Sequence, residues 1–206
     1  MRGSKSLLSA DRELVQIVDA ALADSARRSG AWLACHLGCN QCCMGVFAIS
    51  QLDVLRLKEG MAELDQRDPD RAKRVRARAR DTVRRLSPDF PGDVSTGILD
   101  GSANGLDNPA FEDYANDEPC PVLDPETGGC DLYTSRPMTC RVFGPPVRTE
   151  EGIGICQLCY KGATGEQIAA CELHANTADL EADLLARVQA LSGKKGDTIV
   201  AFALTR

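Results

Sequence analysis

CPVLDPETGGCDLYTSRPMTCRVF, residues 120–143, and CHLGCNQCC, residues 35–43, decide how this chain folds. Together they hold seven of its ten cysteines, at spacings suited to holding metal. Tetrahedral thiolates about 2.3 Å from an ion put neighbouring sulfurs roughly 3.8 Å apart. Turns of two or three residues between Cys35, Cys39 and Cys42 meet that demand, and Gly38 supplies a flexible corner. Adjacent side chains diverge, so Cys42 and Cys43 do not grip one ion. They serve two irons of one cluster or two sites, or one is a buried thiol. In the second segment Pro137 suits the first turn of a short helix that carries Cys140 inward. Arg136 and Arg141 lie close in sequence to several prospective thiolates, where cations offset negative charge. An ordinary ion-pair role is their alternative. Tyr133 and Phe143 read as the hydrophobic wall of the site.

The whole chain agrees with a cysteine-ligated centre rather than a disulfide framework. It has 206 residues, 43% hydrophobic and 26% charged, enough for one domain with a real core. A net charge of −6 argues against a general nucleic-acid binder. No apolar run approaches the ~20 residues that span a bilayer, and the first residues read as neither signal nor anchor. A cytoplasmic location is expected, where thiols stay reduced. Cys156-Gln-Leu-Cys159 adds a C-x-x-C that completes the main centre, forms another, acts as a redox dithiol, or simply packs. Cys171 and His174 read as packing or solvated residues on the next helix, and His36 as pointing away.

Around the cysteines the patterning is helical. Residues 11–29 read as an amphipathic helix capped by Asp11, with Leu14, Val18, Ala21 and Leu22 inward and Gly30 at its end. Trp32 and Leu33 then pack. Ser50 with Asp53 starts a helix with Leu52, Leu55 and Met61 buried. Asp68-Pro69 starts another, striped by Ala72, Val75, Ala79, Val83 and Leu86. The basic residues around that stripe (Arg71, Lys73, Arg74, Arg76, Arg78, Arg80, Arg84, Arg85) read as a solvated face balanced by acidic loops, with a contact surface for phosphate or an acidic partner as the alternative. Residues 87–119 have loop composition with apolar islands at Ile98-Leu99 and 111–114, and their carboxylates Asp100, Asp107, Glu112 and Asp113 read as turn residues. Ile153–Ile155 reads as a short strand. A helix capped by Thr164 and Gln167 is expected to run to Gly193 with Leu173, Leu180, Leu184, Val188 and Leu191 inward. The tail from Asp197 to Thr205 reads as extended. The expected fold is mainly α: a single domain over 1–206 with a loop-rich metal core, minor β and a long insertion at 44–119.

A C-x-x-C-x-x-C-C-like segment followed by C…C-x-x-Y-x-x-R-P-x-x-C-R-x-F resembles the YkgJ family of cysteine-cluster proteins, described as zinc- or iron-chelating. The likeness covers about a third of the chain. One departure is the gap of three residues between Cys35 and Cys39, where the commoner pattern has two. The resemblance implies metal ligands drawn from Cys35, Cys39, Cys42, Cys43, Cys120, Cys130 and Cys140. The pattern is also similar to that of FliB-type flagellin lysine N-methylases, which implies an iron–sulfur cluster and favours a [4Fe–4S] centre over zinc. No glycine-rich methyl-donor signature accompanies it. The leading expectation is therefore a metal-binding protein whose cluster is structural or transfers electrons to a redox partner. A cluster-dependent enzyme and a zinc-stabilised module that contacts a protein partner are the alternatives.

Overall fold

Ser50 and Asp68 start the two helices on which the central segment is built. The computed structural model describes residues 2–36, 38–101, 109–149 and 152–206, and Asp107 lies outside them. Ser50 Oγ accepts from Asp53 N (3.2 Å) while the Asp53 carboxylate accepts from Ser50 N (3.2 Å), closing the expected capping box on α2, Gln51–Arg67. Asp68 ends α2 and caps α3, Pro69–Leu86, accepting from Arg71 N at 2.9 Å with Pro69 in the first turn. Asp53 does more than cap. Buried, it also accepts from Arg56 Nη1 (2.7 Å) and Met138 N (2.8 Å), tying the start of α2 to the segment before Cys140.

The chain divides into two compact units, Leu37–Met138 with Val188–Arg206, and Met1–His36 with Thr139–Arg187. In the first, α2 and α3 pack together. Leu52, Leu57, Met61 and Leu64 are buried from α2, and Ala72, Val75 and Ala79 from α3. Leu55 is only half-buried, and Val54 takes the inward place. Val122, Leu132, Val200 and Ala203 complete this core, and Cys120 and Cys130 pack on its edge. A second cluster gathers Phe90, Leu99, Tyr114, Ile199 and Phe202, with the Phe90 and Phe202 rings 4.5 Å apart. It orders much of the loop-like segment, where β1 (Gly92–Asp93) pairs antiparallel with β2 (Ile98–Leu99), followed by the short helix α4, Pro109–Glu112.

The tail departs from expectation. Thr198 does bridge to Ile49, with N–O distances of 2.8 and 3.0 Å, but Val200–Ala203 then form a helical turn, α8. All four of its residues are buried, and an apolar run buried on every side carries no period that separates strand from helix.

In the other unit α1 runs Arg2–Ser29, so Asp11 is buried inside the helix and not its cap. The inward stripe already begins at Leu7 and continues through Leu14, Val18 and Ser25. Gly30 ends it with φ +49°. Helix α5, Met138–Val142, follows Pro137 as expected. Strands β3 (Val147–Thr149) and β4 (Gly152–Gly154) form a hairpin, one residue earlier than expected at β4. Thr164 and Gln167 make the expected capping box, yet the single expected helix is two: α6, Gly165–Ala170, and α7, Ala178–Ser192. The break has a tertiary cause. Ser25 Oγ donates to Cys171 O (2.5 Å), Arg28 Nη2 to Glu172 O (2.9 Å), and Leu173 N to Pro146 O (2.8 Å), so groups outside the helix satisfy its end. Cys171 is therefore a helix cap and His174 an exposed coil residue. Leu191, expected inward, is 66% exposed.

One carboxyl of the first unit predicts a pH response. Burial, and secondarily the charge of Asp53, pushes the half-buried Asp197 up to about 6. Its folded value lies above the unfolded one of about 3.9, so stability falls as pH rises from about 4 to about 6 and stays lower above that. Asp197→Asn is expected to raise stability at neutral pH by about 1 kcal/mol, discounted for the solvent the carboxyl keeps. It also flattens the dependence over that interval, measured by urea melts at both ends of it.

Candidate metal centre

Within the unit Leu37–Met138 with Val188–Arg206, main-chain pairing brings the two cysteine segments together. Cys43 closes a 3-10 turn, Gln41–Cys43, donating to Asn40 O at 2.8 Å. The next residue, Met44, bridges antiparallel to Pro119, and Cys120 N donates to Cys43 O at 2.8 Å. Gly45 N follows with Glu118 O at 2.9 Å. Gly45 has φ +84°, and a Cβ there would lie 2.9 Å from the Asn116 carbonyl oxygen, so the pairing needs glycine at this point. Cys120 opens a turn to Leu123 (2.9 Å), and Leu123 bridges to Cys130 across a loop braced by Asp124. A Cβ on Gly128, in that loop, would lie 3.4 Å from Gly38 O, which sets the loop beside the residues leading to Cys39.

Cys42, Cys43, Cys120 and Cys130 are half-buried and close enough to perturb one another. The Cys43 thiol donates to Cys42, which is lowered to about 6 by that bond first and also by the charge of Arg136. Cys43 is correspondingly raised, by the bond it gives and then by burial. Burial pushes Cys120 up to about 12 and raises Cys130, whose thiolate Arg136 favours. Arg136 is the cation that favours the charged form of both Cys42 and Cys130.

Asp131, next to Cys130, fixes this arrangement to α3. Its side chain is 1% exposed and accepts from both Arg71 Nε and Arg78 Nη2, while Arg78 Nε donates to Pro121 O at 2.8 Å. Arg76 pairs with Asp65 (2.6 Å), Arg84 with Asp81 (3.1 Å) and Arg85 with Glu118, so acidic partners balance this helix face as expected. The role of Asp131 is not marked in its own neighbourhood. The available signal was Arg71 and Arg78, seven residues apart on one helix face, where both reach one acid.

Arg136 and Tyr133 hold one another. The guanidinium stacks 3.9 Å from the Tyr133 ring centroid and donates to Tyr133 O at 2.7 Å. Tyr133 is 62% exposed and its ring carries Arg136, and Phe143 is 47% exposed. Cys39 is half-buried in the loop before Cys42.

The remaining cysteines belong to the other unit. Cys140 is half-buried on α5. The buried Arg141 donates to both Asp19 oxygens (2.7 and 2.9 Å), which makes it an ion-pair residue there. Cys156 and Cys159 are buried, and their C-x-x-C forms a turn, Cys159 N to Cys156 O at 2.9 Å. The Cys159 thiol sits within hydrogen-bonding reach of both Cys156 and the exposed Cys35, and accepts from Ala34 N at 3.4 Å. Cys171 packs in the same apolar cluster, and its thiol is engaged by the Tyr160 hydroxyl.

No disulfide joins any of the ten cysteines. Among the described residues no three Cys, His, Asp or Glu side chains already stand at the spacing of a closed metal site. The donor chemistry nonetheless fits a thiophilic metal: four sulfurs on one braced frame and a cation whose charge favours two of them. No described helix is long and apolar enough to cross a membrane. Residues 34–172 match the model of the CxxCxxCC family, described as a "putative zinc- or iron-chelating domain". Neither a curated protein nor a solved structure is matched.

Proposed function

Because this chain belongs to the CxxCxxCC family, and so is a metal-binding protein, we propose that Cys42, Cys43, Cys120 and Cys130 hold an iron–sulfur cluster, [4Fe–4S] in type. The observation that carries this reading is the frame that sets consecutive thiols, Cys42 and Cys43, against Cys120 and Cys130. The divergence expected of adjacent side chains is not seen, since the Cys42 and Cys43 thiols meet in a hydrogen bond. What supports the cluster is a set of four half-buried sulfurs from two segments on one frame, the donor set that a [4Fe–4S] centre takes. Cys39 stands beside the group in sequence as a further donor. Cys140, from the second segment, is left outside this set. When bound, the cluster supplies one-electron chemistry or a rigid cross-link. The chain's own residues hold it against the apolar core through Cys120 and Cys130 and offset its charge with Arg136.

The role proposed is structural or electron-transferring, in the cytoplasm, with a redox partner in the second case. Zinc is separated from iron by colour. Protein purified without oxygen is expected to be brown, to contain iron and sulfide in equal amounts, and to lose visible absorbance on reduction. Colourless protein with stoichiometric zinc would contradict the cluster.

A further inference from the structure

The first cysteine of the motif keeps company with the last C-x-x-C. Cys35 is in the unit Met1–His36 with Thr139–Arg187, where its thiol reaches Cys159, and Cys159 reaches Cys156. The grouping is built by several elements at once. Tyr160 N donates to Trp32 O at 2.8 Å and Ala34 N to Cys159 Sγ at 3.4 Å, so the chain leading to Cys35 is laid along the C-x-x-C turn. Tyr160 holds this course in a left-handed conformation, φ +56°, unusual for an aromatic residue. Gly144 has φ +121°, and a Cβ there would lie 2.8 Å from Cys35 Sγ, so glycine leaves the sulfur its place. Trp32, Leu33, Ala163 and Ile168 form an apolar wall behind Cys156 and Cys159, while Cys35 is exposed.

From this geometry we propose that Cys35, Cys156 and Cys159 make a second thiolate site that takes a single zinc-type ion of its own. This deepens the reading of the chain as metal-binding and assigns Cys35 away from Cys39 and Cys42. A C-x-x-C turn and one further sulfur are a donor set that a lone tetrahedral ion takes once the three thiols close on it, and a backbone N–H on a sulfur steadies the thiolate form. The exposed Cys35 is the edge by which an ion enters. Cys171 stays outside the set, its thiol held by Tyr160.

Full-length Cys43→Ser/Cys120→Ser protein, stripped of metal under reducing conditions, tests the site by titration with cobalt(II). Cobalt bound to thiolate gives near-ultraviolet charge-transfer bands, which report sulfur ligation independently of any activity. The expected result is about one equivalent bound with those bands, and binding at least about tenfold weaker when Cys35→Ser is added. Cys35 is exposed, so that substitution leaves the packed core intact, and circular dichroism checks the fold. Wild-type protein that binds cobalt while folded Cys43→Ser/Cys120→Ser binds none would overturn this inference and leave the first centre standing. Affinity left unchanged by Cys35→Ser would overturn it equally. A Cys156→Ser/Cys159→Ser protein that holds no metal, beside a Cys43→Ser/Cys120→Ser protein that does, would overturn the first centre and keep this one.

Discussion

Asp131→Ala is expected to lower the stability of the unit that carries Cys120 and Cys130 by about 2–4 kcal/mol. The carboxylate is almost wholly buried and takes both Arg71 and Arg78, which links α3 to the residue following Cys130. Losing one partner of a buried pair costs about 3–5 kcal/mol, because the other charge is left in a poor solvent. Here the arginine side chains keep 35% and 27% of their exposure, so they rehydrate in part and the figure is reduced. Asp131→Asn keeps the shape but not the charge and is expected to fall between the alanine variant and wild type. The exposed pair Arg76–Asp65 serves as the control, and its removal is expected to change stability little. Urea unfolding followed by circular dichroism measures all three. A loss of under about 1 kcal/mol for Asp131→Ala would show that the hairpin is held by its backbone bridges and apolar packing instead.

The same substitution should also loosen metal. Cys120 and Cys130 flank a loop whose position relative to α3 depends on Asp131 and on the Arg78 bond to Pro121 O. Groups behind the ligands that orient them are worth about 10–100-fold in metal affinity. Asp131 is therefore a positioning residue, acting through the hairpin and not on the metal.

What could be read from the sequence, and what could not, divides along the range of the interactions. Both capping boxes, at Ser50 and Thr164, and the Asp68-Pro69 start were legible because a cap is satisfied within three residues. Asp11 has the right chemistry for a cap, but the stripe from Leu7 carries the helix through it. The break after Ala170 was illegible for a different reason: Ser25 and Arg28, about 145 residues away in sequence, supply the terminal hydrogen bonds. The basic helix is legible as a balanced face, yet the partners of its arginines depend on where the cysteine hairpin lies. At the site, spacing nominated the thiols and could not sort them. Cys35 stands four residues from Cys39 in the same motif, and the turn at Gly144 and the Tyr160–Trp32 bond bring it to Cys159. Tyr133 reads as a wall because aromatics near cysteines commonly are. Its ring instead carries Arg136.

The largest functional effect is expected from Cys43→Ser/Cys120→Ser. These residues are joined by the Cys120 N–H to Cys43 carbonyl bond and come from the two segments that the frame unites. Cys43 is raised by the bond it gives to Cys42 and by burial, and burial pushes Cys120 up to about 12. Without metal both thiols stay protonated at neutral pH, and a metal must displace those protons to bind. Serine keeps the size but gives a hard, weakly acidic oxygen that iron–sulfur chemistry does not accept. The most direct measurement is therefore the iron and sulfide content per chain of this variant beside wild type, both purified without oxygen and both checked for folding. The proposed function predicts that iron and sulfide present in wild type fall to background in the folded variant. Folded Cys43→Ser/Cys120→Ser protein that keeps the wild-type iron and sulfide would contradict it.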